Sequence, residues 1–223
     1  MNNNKMADYW RKNSPRWEAG AYFEENSSIK RGFLESLSHY IRGRSVYVRM
    51  EKAKTLLTPH IQGKHVLDVG CASGRFAKML IEAGAKHVTG VDISEAVIEI
   101  AQDNLENTPF QEQLTFLATD VRNSLSINAD ITTALGVIEY FSPDDLNNFF
   151  AHLSSTHFLL HFAEKPATVK AKLRHLLRTG YLKLKGCPHV FFYNVEYIKT
   201  VANQYGYANL WQTEHFVTNL PHE

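Results

Sequence analysis

Apolar positions along the chain repeat with two different periods, and the changes of period divide it into three blocks. Over residues 1–62 the period is helical: Ile29, Phe33, Leu37 and Ile41 recur every fourth residue, and Val46, Met50, Ala53 and Leu57 form a second stripe. Residues 63–163 alternate short β-rich runs with helical stretches, the pattern that βαβ units around a parallel sheet produce. The runs are Val66 to Val69, His87 to Val91, Leu114 to Ala118, Ile131 to Val137 and Phe158 to Phe162, and Val97, Ile98, Ala101 and Leu105 mark one face of the helix after the second. Another helix announces its own start: Ser142 is a capping residue, Pro143 suits the first helical position, and Asp144 and Asp145 meet the positive end of the dipole. Its buried stripe is Leu146, Phe149, Phe150 and Leu153. The third block, 164–223, opens with seven Lys/Arg and no acid between Lys165 and Lys185. A β-like run from His189 to Tyr193 and a helix from about Asn194 to Gln204, ending near Gly206, follow. The run from Ala208 to Val217 fits either one long strand or a hairpin.

At 223 residues one sizeable core is expected, so the three blocks are read as one domain: a helical cap (1–62), a central core (63–163), and a lid segment with completion of the sheet (164–223). Hydrophobic residues at 44% and charged residues at 21% give the balance of a globular chain. A net charge of +1 offers no global positive excess for phosphates, which argues against nucleic acid as a general partner. The two cysteines, Cys71 and Cys187, lie too far apart in sequence to suggest a disulfide framework or zinc site, so no metal is expected and a reducing cytoplasm fits. No apolar run approaches the roughly 18 residues that span a bilayer.

The most informative stretch is His65-Val-Leu-Asp-Val-Gly-Cys-Ala-Ser-Gly-Arg-Phe-Ala77, an apolar strand entering a glycine-bearing turn and then a helix. In a parallel sheet such a turn lies at the carboxyl edge, where these folds bind ligands. Gly70 and Gly74 are expected to let backbone approach a ligand closely. Asp68, two residues before the first glycine, would repel a pyrophosphate and attract a cation, and the spacing Gly70-x-x-x-Gly74 lacks the dinucleotide fingerprint. Asp92 ends the next strand 22 residues after Gly70, where a carboxylate can accept both hydroxyls of a ribose, and Asp120 ends the third, where it can accept from an adenine amino group. A strand-ending Asp is alternatively a helix cap. Cys71 is a small residue suited to burial.

Three acids, each ending one of three successive strands, resemble the class I methyltransferases that depend on S-adenosylmethionine (SAM), over about residues 64–163. The resemblance implies an α/β fold with a doubly wound, mostly parallel sheet of seven strands or nearly so, with helices on both faces, N-terminal helices and an insertion after strand five. It also implies SAM as cofactor and S-adenosylhomocysteine (SAH) as product. It places Asp68, Gly70, Cys71, Ala72 and Gly74 in the first motif, Asp92 with Ile93 at the ribose, Asp120 with Val121 at the adenine, and Leu135 with Gly136 beside the methionine part. Ala72 stands where the family most often has a glycine. Arg49, before strand one, matches an arginine that some quinone-pathway O-methyltransferases direct at the cofactor carboxylate, the alternative being a solvated helix charge.

Methyl transfer is an in-line displacement in which the protein mainly aligns the reactants and excludes water, with a base needed only if the acceptor must lose a proton. Acceptor chemistry in the family follows strand four, here Leu135-Gly-Val-Ile-Glu-Tyr-Phe141. The stretch lacks the Asn/Asp-Pro-Pro-aromatic motif of amino-methylating DNA enzymes and a Pro-Cys nucleophile, and is similar to the small-molecule O- and N-methyltransferases. Glu139 and Tyr140 are the candidates to orient the acceptor or take its proton, with His161 and His189 behind them. Tyr22, Phe23 and Tyr40 are candidates to close over the cofactor or to pack as core. Val169, Leu173, Leu176 and Leu177, among Lys170, Lys172, Arg174 and Arg178, suggest a lid over an anionic acceptor, an interfacial helix in peripheral contact with a membrane, or a solvated face over an apolar seam. The expectation is methyl transfer to an O or N atom of a small molecule by a monomer or homodimer. An RNA methyltransferase and a non-catalytic SAM-binding regulatory protein are the alternatives.

Overall fold

A computed structural model describes residues 4–21, 46–106, 108–122, 127–165, 189–213 and 216–221, and between 165 and 189 residues 169, 172, 176, 179, 180, 183, 184, 186 and 187. The elements in order are α1 (Asn4–Ala21), α2 (helical over 46–57), β1 (His65–Val69), α3 (Arg75–Glu82), β2 (His87–Asp92), α4 (Glu95–Leu105), β3 (Leu114–Ala118), β4 (Ile131–Leu135), α5 (Pro143–His152), β5 (His157–His161), α6 (Val195–Gln204), β6 (Trp211–Thr213) and β7 (Phe216–Thr218). The stripe Ile29 to Ile41 and the aromatics Tyr22, Phe23 and Tyr40 lie outside the described residues.

The strands form one sheet in the order β3-β2-β1-β4-β5-β7-β6. The first five are parallel, and β7 adds antiparallel to β5 and pairs with β6. Chain order runs outward from β1 in one direction to β3, then restarts on its other side at β4, so the switch point where parallel sheets leave a crevice falls between β1 and β4. Strands covered on both faces need apolar residues on both, and two cores result. Val66 and Val88 face Met50, Ala53 and Leu57 of α2 and Phe76 and Leu80 of α3. Leu67, Val69 and Val91 face Leu146, Phe149 and Phe150 of α5 and Ile198, Val201 and Ala202 of α6. The doubly wound, seven-stranded arrangement expected above is present.

Three local expectations change. The fourth strand was expected to reach Val137 but stops at Leu135, because Gly136 turns the chain at φ 84°. His189 to Tyr193 adds no strand beyond an isolated bridge from Tyr193 to Glu164. The free edge of β5 is taken by β7, and the backbone of the run is spent elsewhere, the Phe191 amide donating to the Glu139 carbonyl at 2.7 Å. The run left open at the end of the chain is a hairpin, with Thr213 opposite Phe216.

Candidate cofactor and acceptor site

The carboxyl ends of the parallel strands converge on a cavity of about 130 Å³. β1 delivers Val69, then Gly70 at φ 72°, whose amide and that of Cys71 both donate to the Val91 carbonyl at 2.7 and 3.1 Å. Ala72 follows in the left-handed region at φ 47°, a conformation that disfavours a residue with a Cβ. A Cβ at Gly70 would overlap Val137, and one at Gly74 (φ 77°) would overlap Phe116. Close approaches to protein side chains thus already require glycine at both positions.

Asp92 faces the cavity with its carboxylate accepting from the amides of Ala72 at 3.3 Å and Ser94 at 3.0 Å, with the Ile93 amide also contributing. It thus ties the β1 turn to the start of α4 and still keeps acceptor capacity for a hydroxyl donor. Burial pushes its pKa up against those bonds. Asp120 also lines the cavity, but its carboxylate is gripped by the Arg122 guanidinium, Nε to Oδ1 at 2.8 Å and Nη2 to Oδ2 at 2.6 Å. Burial pushes Asp120 up, and the bonds and charge of Arg122, helped by Arg11, outweigh it and hold the group below the ordinary carboxylate range. One of its lone pairs remains for an amino donor.

Asp68, 2% exposed, stands on the opposite face of β1 from Val69 and is absent from the cavity lining. Its Oδ1 accepts from Thr133 Oγ1 at 2.9 Å and its Oδ2 has no partner. Burial, partly offset by Thr133 and reinforced by the charge of Asp92, raises it to about 7. Arg49 reaches from α2 to the end of β4, where Nη1 donates to the Leu135 carbonyl at 3.4 Å. A Cβ on Gly136 would overlap that guanidinium and lie 3.8 Å from Glu139 Oε1, so Arg49 and Glu139 flank the same glycine.

Gly70, Ala72, Asp92, Ile93, Asp120, Val121, Leu135, Gly136 and Tyr140 of the expected residues are brought together around the cavity; Arg49, Asp68, Cys71 and Glu139 do not line it, and Gly74 lines a separate pocket with Phe116 and Ser73. Cys71 belongs to the core beneath α3, and Glu139 is 3% exposed. His161 and His189 pack edge-on against Phe216 and Phe191, as structural histidines do. A helical cap was expected from the sequence, but not the residues that form it. Met6, Trp10 and Ser14 of α1 lie over the cavity, and the Trp10 ring meets Tyr140 edge-on at 4.8 Å. Met6 in turn packs with Cys187 and Val190, beside Tyr9 and Phe192, to form an apolar roof. Arg122 was missed as well, although its position two residues after Asp120 was visible.

Comparison with known proteins matches this architecture. The family model described as "Methyltransferase domain" matches residues 66–179. A ubiquinone biosynthesis O-methyltransferase of Coxiella burnetii (strain Dugway 5J108-111) is 34% identical over 96 residues, covering 42% of this chain and 38% of the relative. A ribosomal protein L11 methyltransferase of Hahella chejuensis (strain KCTC 2396) is 44% identical over 55 residues, 25% of this chain and 19% of that protein. The chain thus spans well under half the length of these curated relatives. The crystal structure of magnesium protoporphyrin IX methyltransferase from Synechocystis PCC 6803 with bound SAH superposes with a TM-score of 0.69 at 21% identity, covering 98% of both chains. That likeness is one of fold.

Proposed function

The chain belongs to the family of methyltransferase domains, and on that premise we propose that it transfers the methyl group of SAM to an O or N atom of a small-molecule acceptor. The observation that carries the reading is the single cavity in which Asp92, Asp120, Gly136 and Tyr140 meet under α1. The residues fit the cofactor: an acidic rim suits a cation, Asp92 retains acceptor capacity for a ribose hydroxyl, and Oδ2 of Asp68 is a buried acceptor still lacking a donor.

In this assignment Gly70, Ala72 and Ile93 form the floor, Asp92 accepts the ribose hydroxyls, and Asp120 with Val121 frames the adenine. Leu135 and Gly136 bound the methionine part, Arg49 pairs with its carboxylate, and Asp68 receives its ammonium. Bound there, SAM supplies an electrophilic methyl on a sulfonium. The chain's own work is to hold the acceptor in line and to exclude water, which the apolar roof of Met6, Trp10 and Tyr140 serves. Tyr140 contacts the acceptor, and Glu139, on the same loop, takes a proton where the acceptor must lose one. The enclosed roof favours a small acceptor over a folded macromolecule, and the three blocks act as one unit: 1–62 covers, 63–163 holds the cofactor, and 164–223 completes the sheet and the roof.

Calorimetry with SAM and SAH tests the reading. Both should bind, and Asp92→Ala should weaken them by about 2 kcal/mol, roughly thirtyfold, through loss of charged hydrogen bonds. Absence of binding by the wild-type protein at millimolar ligand would sink it.

A further inference from the structure

Asp120 reaches the cavity with most of its hydrogen-bonding capacity committed. Of roughly four acceptor sites on a carboxylate, Oδ1 spends two, on the Arg122 amide at 3.1 Å and on Arg122 Nε at 2.8 Å, and Oδ2 spends one, on Arg122 Nη2 at 2.6 Å. The amide closes the turn after β3 and the guanidinium forks onto both oxygens, so the carboxylate can neither swing nor rotate. The guanidinium is steadied from a second side by the charge of Asp145 at the start of α5. Both side chains are largely withdrawn from water, 7% exposed for Arg122 and 14% for Asp120, yet both residues line the cavity. Against the upward push of burial, the bonds and charge of Arg122 keep Asp120 ionised. The pair therefore offers the cavity no net charge and one remaining acceptor site, on Oδ2.

We propose that Arg122 is the positioning residue of the adenine subsite: it neutralises Asp120 and leaves it a single acceptor, so that the site selects a purine with a 6-amino group over one with a 6-oxo group. That adenine is the base rests on the methyl-transfer reading, whereas the geometry of the pair does not. A flat neutral base laid on a bare carboxylate would strip its water and return nothing; on an ion pair it covers two charges that already satisfy each other. An amino N–H then completes Oδ2, while a 6-oxo group would set two acceptors face to face with no proton between them. Asp120 cannot supply that proton while Arg122 holds it ionised. Without Arg122 the carboxyl is free to turn and, being half-buried, to take up a proton and donate it to the oxo group. Arg122 thus sets the preference through Asp120, without itself having to meet the base.

Calorimetry of the full chain at neutral pH tests this, with SAH and with S-inosylhomocysteine, the analogue that carries oxygen in place of the 6-amino group. The wild-type protein should prefer SAH about thirtyfold, the worth of a hydrogen bond to a charged group. Arg122→Gln should weaken SAH about tenfold and the oxo analogue much less, so that the preference falls to about threefold. Arg122→Lys keeps the charge and spares the fold, but one ammonium cannot grip both oxygens, and the preference should fall to about tenfold. A merely structural pair would lower the melting temperature of both variants and weaken both ligands by the same factor. That result overturns the proposal, as does an unchanged preference in Arg122→Lys or a wild-type protein that does not distinguish the two compounds. Wild-type protein that binds neither compound at millimolar concentration overturns the cofactor reading first, and this inference with it.

Discussion

The carboxyl of Asp68 is raised to about 7 chiefly by burial, so its proton is linked to the stability of the fold and to whatever cation binds beside it. An unfolded Asp ionises near 3.8. Between that value and 7 the folded chain keeps a proton that the unfolded chain has lost, and Asp68 therefore makes the free protein less stable as pH rises through that window. A ligand ammonium reverses the preference by favouring the ionised form. SAH affinity should accordingly rise about tenfold per pH unit up to 7 and then level off, while Asp68→Asn should show a flat profile. Calorimetry at several pH values from acid to neutral measures this, and a flat wild-type profile would remove Asp68 from the site. The acids were legible in the sequence because strand ends in a parallel sheet share one rim, which turns the spacing of Asp92 and Asp120 into a position in space. Arg122 and Trp10 were not, since a bidentate pair and a covering indole depend on side-chain direction and on a helix far upstream of the first strand. Ala72 lies between these cases: its departure from glycine was visible, but its φ of 47° was not.

Among the elements, α5 shows how local chemistry sets a boundary. Ser142 Oγ accepts from the Asp145 amide at 3.2 Å, and Asp145 Oδ2 accepts from the Ser142 amide at 2.9 Å, with Pro143 at the first turn. Ser142→Ala removes one arm of this box and leaves the buried Asp145 without its hydroxyl donor, so stability should fall by about 1 kcal/mol in a denaturant titration, with the slope unchanged. Ser142→Asn should recover most of the loss. The start of this helix was readable because capping depends on neighbours in sequence. The β-like run His189 to Tyr193 misled because strand formation needs a vacant edge. β7 fills that edge from later in the chain, and the segment instead braces the loop after β4, through Phe191 and through Tyr193, whose hydroxyl donates to the Phe141 carbonyl at 2.7 Å.

On the scale of the molecule the two rims of the sheet have opposite character. The carboxyl rim is acidic, and the amino rim gathers His65, His87 and His157 near His60, Lys64 and Asp130. The pKa of His87 is lowered by burial and then by His65, and that of His157 by burial and then by His60 and Lys64, against the pull of Asp130. Both folded values lie below the unfolded one, so the unfolded chain binds more protons below about 6.5 and stability falls as pH drops through that value. Asp68 pulls the other way over the same window, so the histidines show in the difference: from neutral pH towards about 5.5 the melting temperature of the wild-type protein should fall relative to that of His87→Gln/His157→Gln.

The match to the family ends at residue 179 and begins at 66, so it contains the floor of the cavity but neither α1 nor the 187–193 segment that roofs it. Floor and roof are written in separate stretches of chain, joined across the cavity by contacts such as that of Trp10 with Tyr140. On the proposed reading, the two ends of the chain shape the space for the acceptor while the middle holds the nucleoside. Chimeras that transplant only those ends are the natural unit in which to re-engineer selectivity.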